Sequence, residues 1–115
     1  YTSEGNIIGN IKSMAEIANS NGIKVIISSI LPAIEYLWKP GLGPATKIIK
    51  IIKELKLFSD KNGFIYLDYH SAMVDEKGGL RVPDYTAAND LVHPNLNGYL
   101  VMEKLVEEAI NKALK

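Results

Sequence analysis

Cysteine is absent from the 115 residues, which excludes disulfide staples and thiol chemistry and leaves the compartment open. No run of about 18 apolar residues occurs, so no membrane span is predicted. Neither sign of charge is in excess: 13 Lys and Arg stand against 13 Asp and Glu. A nucleic-acid binder needs a basic surface to displace counterions, and this balance argues against that class. Internal repeats, low-complexity runs and an obvious domain boundary are also missing. The chain opens on Tyr1 without a signal peptide and reads as starting mid-protein, so the absence of a targeting segment implies nothing about location. Tryptophan occurs once, as Trp38.

What is present is an apolar supply rich in Ile, Val, Leu and Ala, 47% of the chain, enough for the core of one small domain. Ile7, Ile8, Ile11, Met14, Ala15 and Ala18 recur at three and four, which predicts a helix over 3–20. Gly22 suits the left-handed residue after it. Residues 23–30 predict a strand, and the unbroken apolar run from Val25 to Ile27 fits one covered on both faces. Pro32 ends it. A proline- and glycine-rich connection over 31–44 carries Tyr36 and Trp38. A second helix over 45–62 has Ile48, Ile51, Ile52, Leu55 and Phe58 as its stripe and a solvated face of lysines. Residues 64–68 predict a second strand and 69–89 a long loop turning at Gly78-Gly79. The last helix is predicted over 95–114, with Tyr99, Met102, Val106, Ala109, Ile110 and Ala113 buried and a Glu108–Lys112 pair at i,i+4.

Strands alternating with long helices predict an α/β layer with parallel strands and right-handed crossovers. Two parallel strands are few, because such a pair normally lies inside a larger covered sheet and an open edge is a liability. The economical reading is the C-terminal part, residues 1–115, of one larger α/β domain. Such a chain is expected to self-associate through the open edge or to pair with a separate N-terminal half.

Chemistry concentrates in Asn89-Asp90-Leu91-Val92-His93-Pro94-Asn95. A turn of this length can bring the Asp90 carboxylate onto Nδ1–H of His93, leaving Nε2 to take a proton from a hydroxyl nucleophile. Pro94 fixes the backbone and is tolerated in a first helical turn. The bland alternative for Asp-x-x-His alone is a cap beside a surface histidine, and that is the commoner case. Ser28 and Ser29 read as small packing residues in a buried strand. Ser71 follows the second strand without a nucleophile elbow. Asp68 and His70 with Asp90 and His93 would be chemically adequate for a metal, but the reading favours none. Tyr36 and Trp38 either line a substrate cleft or cover the core edge.

The longer string Asp-x-x-His-Pro-Asn-x-x-Gly-Tyr is more specific, and it resembles the last block of the SGNH/GDSL lipases and acylhydrolases. Residues 22–32, ending in Leu31-Pro32, resemble the strand those enzymes carry after their third block, and residues 64–75 resemble their last strand and the loop that follows. The resemblance covers essentially the whole chain. It implies a flavodoxin-like three-layer α/β/α sandwich, no cofactor or metal, and a Ser-His-Asp triad in which His93 is general base and acid and Asp90 orients it. The implied substrate is a small-molecule or carbohydrate acyl ester. The Gly-Asp-Ser, second-block glycine and Gly-x-Asn-Asp of that family, which supply nucleophile and oxyanion hole, do not occur in these residues. Thr2-Ser3-Glu4-Gly5-Asn6 resembles the segment just after the third block. The expectation is a serine esterase as the parent protein, inactive as these 115 residues alone. The alternative is a non-catalytic binding or assembly module on the same scaffold.

Overall fold

The computed structural model describes residues 3–115, so the first two residues, part of the predicted opening segment, lie outside the description. Ser3 starts the first helix by accepting the Asn6 amide on its side chain, an N-cap that satisfies one orphan donor. That helix, α1, spans Glu4–Ser20. The chain reverses through Gly22 (φ +74°), a conformation open to glycine, and enters β1, Ile26–Ser28. Helix α2 spans Pro44–Asn62 and stops at Gly63 (φ +68°), which again needs no Cβ. Strand β2, Ile65–Leu67, lies parallel to β1 in the register Ile26↔Ile65, Ile27↔Tyr66, Ser28↔Leu67.

The crossover from β1 through α2 to β2 places α1 and α2 on one sheet face. Ile27 meets Ala15, Ile51 and Leu55 there, with Tyr66, its cross-strand partner, packed alongside. The alternate residues of the strands face the other way, where helix α4, Leu96–Ala113, crosses both strands. Helices on both faces of a parallel sheet make the three-layer α/β/α order predicted from the sequence. Leu55, fully enclosed, is the centre of the α1–α2 core.

Several details depart from the sequence reading, among them the first strand, which spans only Ile26–Ser28 of the predicted 23–30. The loop over 69–89 contains a short helix, α3, Tyr69–Met73, capped by the Asp68 carboxylate, and a bridge Val74↔Leu80 that closes the turn at Gly78-Gly79. The predicted Glu108–Lys112 pair does not form. The i,i+4 ion pair among the described residues is Lys56–Asp60, at 2.8 Å. On α4, Ala109 is buried but Tyr99 and Ile110 are largely exposed, because the two-stranded sheet is too narrow to cover the whole apolar stripe.

Candidate active site

Both strands end on the same side of the sheet, since they are parallel, and their exits are tied together. Ser29 donates its amide to the Leu67 carbonyl at 2.8 Å, and its hydroxyl accepts the His70 amide at 2.9 Å. Ser29 is therefore the packing and linking residue expected, whereas Ser28 is exposed rather than packed. Ser71 donates its hydroxyl to Asp68 at 2.6 Å within the α3 cap.

The segment between β2 and α4 is built on its own backbone. Asn95 is the N-cap of α4: its side-chain carbonyl accepts the Gly98 amide, while its side-chain amide reaches the carbonyls of Pro83 and Asp84. Its backbone N–H donates to the Tyr85 carbonyl at 2.7 Å. Pro94 thus precedes the cap instead of occupying the first helical turn. Thr86, 1% exposed, donates its hydroxyl to the His93 carbonyl at 2.8 Å. Gly98 is favoured by space, because a Cβ there would stand 3.0 Å from Pro94 Cβ and 3.1 Å from the Tyr85 carbonyl oxygen, tighter than ordinary contacts. Pro94, Asn95 and Gly98 lie within the stretch singled out in the sequence, whereas Tyr85 and Thr86 lie outside it. The spacing Asn95-x-x-Gly98 carried the cap signal, but nothing local announced Thr86.

On this frame Asp90 folds back over His93. Its Oδ1 accepts the amides of Val92 (3.0 Å) and His93 (2.8 Å), and both carboxylate oxygens face the imidazole Nδ1 at 3.0 and 3.1 Å. The turn passes through Leu91 at φ +71°, left-handed for a branched side chain. The amide hydrogen bonds from His93 and then Val92, with the imidazole contact behind them, hold the Asp90 carboxyl below its ordinary range. Nδ1 opposite a carboxylate carries the proton, which puts the ring's lone pair on Nε2. No hydrogen bond engages Nε2 among the described residues. The imidazole side chain is 73% exposed, so Nε2 opens to solvent. An exposed pair of this kind contributes little to stability, so its geometry needs another reason to exist.

Asp68 and His70 are not part of this arrangement: no three His, Asp or Glu side chains converge as metal ligands among the described residues. His70 is buried, its Nε2 enclosed without a partner, and burial lowers its pKa against the opposing pull of Asp68. Burial likewise pushes the Tyr66 hydroxyl up to about 12, helped by the Asp68 charge. Tyr36 and Trp38 stack at 5.0 Å with 25° between their planes, and Trp38 is 68% exposed, so it does not cover the core edge.

A parallel sheet layered between helices, with a carboxylate–imidazole pair in the loop beyond its last strand, is an α/β scaffold whose candidate site lies where sites of open α/β sheets form. Solved structures narrow that class. The chain is 41% identical, over its full length, to a protein from Bacteroides fragilis named as an acylhydrolase, with a TM-score of 0.92. It is 40% identical over 96% of its length to a GDSL-like lipase from Bacteroides thetaiotaomicron, with a TM-score of 0.88. It spans about half of each of these relatives, 55% and 54% of their chains. A lipolytic protein of the G-D-S-L family from Desulfitobacterium hafniense shares the fold at 18% identity and a TM-score of 0.74. No family model and no curated protein matches. The chain belongs to the SGNH/GDSL superfamily of acylhydrolases and lipases.

Proposed function

We propose that this chain is the C-terminal part of one SGNH hydrolase domain that cleaves acyl esters through a Ser-His-Asp triad, and that it supplies Asp90 and His93. The observation that carries the reading is the Asp90 carboxylate seated on Nδ1 of His93 at 3.0 Å, with Nε2 left open at the carboxyl end of the sheet. In that role His93 takes the proton of a serine hydroxyl as it attacks the ester carbonyl, then returns it to the departing alkoxide. Asp90 fixes the tautomer and stabilises the imidazolium formed in between.

Neither exposed Ser71 nor buried Ser29 serves as that hydroxyl, since each is committed to the link or cap described above. On this reading the serine and the oxyanion donors belong to a part of the domain outside these 115 residues; the relatives' chains are long enough for one, since this chain covers 55% and 54% of them. Support for such a completion comes from β1, whose far edge has no partner strand among the described residues. A groove lined by Ile11, Met14, Ala15 and Ala18 runs along it, with Met14 63% exposed. A parallel strand added there would cover both.

The isolated 115 residues are expected to give no turnover of p-nitrophenyl acetate, because a base without nucleophile or oxyanion hole supplies too little of the barrier reduction. Combined with a family half-domain bearing Gly-Asp-Ser, the chain is expected to give turnover that His93→Ala abolishes. Serine-dependent turnover by the 115 residues alone, or turnover by the combination indifferent to His93, would overturn the assignment.

A further inference from the structure

The hydrogen bonds that Asp90 gathers hold the imidazole to its own turn. Their donors are the amides of Val92 and His93 and the ring itself. The Ala87 carbonyl adds the amides of Asp90 and Leu91, each at 3.0 Å. All of these join near neighbours in the chain, so they shape the turn without locating it on the fold. Among the described residues, the hydrogen bond that ties His93 beyond its turn comes from the Thr86 hydroxyl, which donates to the His93 carbonyl at 2.8 Å. Thr86 in turn stands on a buried support. Its amide and that of Tyr85 donate to the Arg81 carbonyl at 3.1 and 2.8 Å. The Arg81 amide donates to the Met73 carbonyl at 3.2 Å, and Arg81 Nε reaches the Val74 carbonyl at 3.1 Å. Met73 and Leu80, which flank this ladder, are both enclosed.

We propose that Thr86 is a positioning residue for the proposed base: its hydroxyl holds the His93 backbone so that the ring keeps Nδ1 on Asp90 and Nε2 on the open side. The inference rests on the esterase reading for its catalytic meaning, but its first test needs no activity. Three observations carry it. The carboxylate–imidazole pair is too exposed to hold itself, with the imidazole 73% and the Asp90 side chain 35% accessible, so the ring's place must come from the backbone beneath it. The turn passes through Leu91 at φ +71°, a conformation that relaxes once its surroundings let go. Thr86 is 1% exposed, and a valine would fill the same space, so shape alone does not call for a hydroxyl there. Proton transfer is sensitive to such placement: a displacement of about 1 Å costs on the order of a hundredfold in rate.

The chain has 2 histidines, so imidazole nitrogen resonances can be read residue by residue. At mildly alkaline pH, where imidazoles are neutral, long-range proton–nitrogen spectra of the 115-residue chain are expected to show His93 as the Nδ1–H tautomer. Thr86→Val should shift it toward a mixture in which Nε2–H gains, because a ring that leaves the carboxylate can carry its proton on either nitrogen. Thr86→Ser should restore the parent spectrum. His70, buried in α3, should keep its signals throughout and so reports on the fold. In combination with a family half-domain bearing Gly-Asp-Ser, Thr86→Val should lose about tenfold in kcat with KM within about twofold, and Thr86→Ser should recover the loss. A parent combination without turnover would sink the triad reading and leave the tautomer to judge Thr86. An unchanged His93 tautomer in Thr86→Val overturns the proposal. So does a shift that serine fails to reverse, a shift shared by His70, or an active combination whose kcat ignores Thr86→Val. If circular dichroism shows Thr86→Val unfolded, Thr86→Ala is read by the same outcomes, and unfolding of both overturns the proposal by making Thr86 a folding residue.

Discussion

At the scale of single residues, the turn around His93 trades backbone comfort for side-chain placement. Leu91 sits at φ +71°, a conformation that costs a branched residue about 1–3 kcal/mol and persists only where its surroundings enforce it. The enforcing contacts are the two amides that Asp90 gathers and the Thr86 hydroxyl on the His93 carbonyl. Leu91→Val, which adds a Cβ branch in the same backbone region, is expected to destabilise the chain by about 1–2 kcal/mol in urea unfolding. Thr86→Val keeps the shape but removes the donor of a half-buried hydrogen bond, so a loss of about 1 kcal/mol is expected. Thr86→Ser restores most of it, and a Val variant as stable as the parent would show the hydroxyl to be idle. The Asp90 carboxyl, held below its ordinary range, stays ionised to lower pH than a free aspartate. What it adds to folding is present above the ordinary value of about 4 and fades only as the pH falls through its depressed folded value. The Val92 and His93 amide resonances should accordingly keep their hydrogen-bonded shifts at pH values where a free aspartate is already protonated.

At the scale of elements, α3 carries the liability. It packs His70 into the interior with Nε2 enclosed and without a partner. Its pKa is lowered by burial, so the unfolded chain binds a proton that the folded one refuses. Stability is then complete above the ordinary value of about 6.5 and is lost as the pH falls below it toward the depressed folded value. Urea midpoints measured from neutral pH into this acid window are expected to decline for the parent. For His70→Phe, which exchanges a partnerless polar ring for an apolar one, they should stay nearly flat. An equal decline in both would place the acid sensitivity elsewhere. On α4, Gly98→Ala forces a methyl against Pro94 and the Tyr85 carbonyl, and a cost of about 1–3 kcal/mol is expected with the cap at Asn95 disturbed.

At the scale of the whole molecule, the chain is a slab, with extents of 43 × 30 × 20 Å and a radius of gyration of 14.9 Å. A compact domain of this length would have a radius of about 13 Å. The excess accompanies a sheet of only two strands, which leaves parts of the surrounding helices uncovered. Met14, Tyr99, Leu100 and Ile110 stay exposed on helices whose other sides are buried. No helix among the described residues is long and apolar enough to cross a membrane.

Much of this was legible in the chain itself. Helical periodicity and glycine stops placed α1, α2 and α4 to within a residue or two, since those signals are local. The parallel pairing of β1 and β2 followed from strand–helix–strand order, because chirality leaves one crossover hand. The string from Asp90 to Tyr99 pointed to a carboxylate–imidazole pair because three residues are enough to fold an acid onto a ring. Tertiary structure alone decided the rest. Thr86 found the His93 carbonyl across seven residues, Ser29 found His70 across forty-one, and Trp38 turned outward onto Tyr36 rather than inward onto the core. Those outcomes depend on where loops close and which surfaces remain uncovered, and neither property is encoded in the spacing of neighbouring residues.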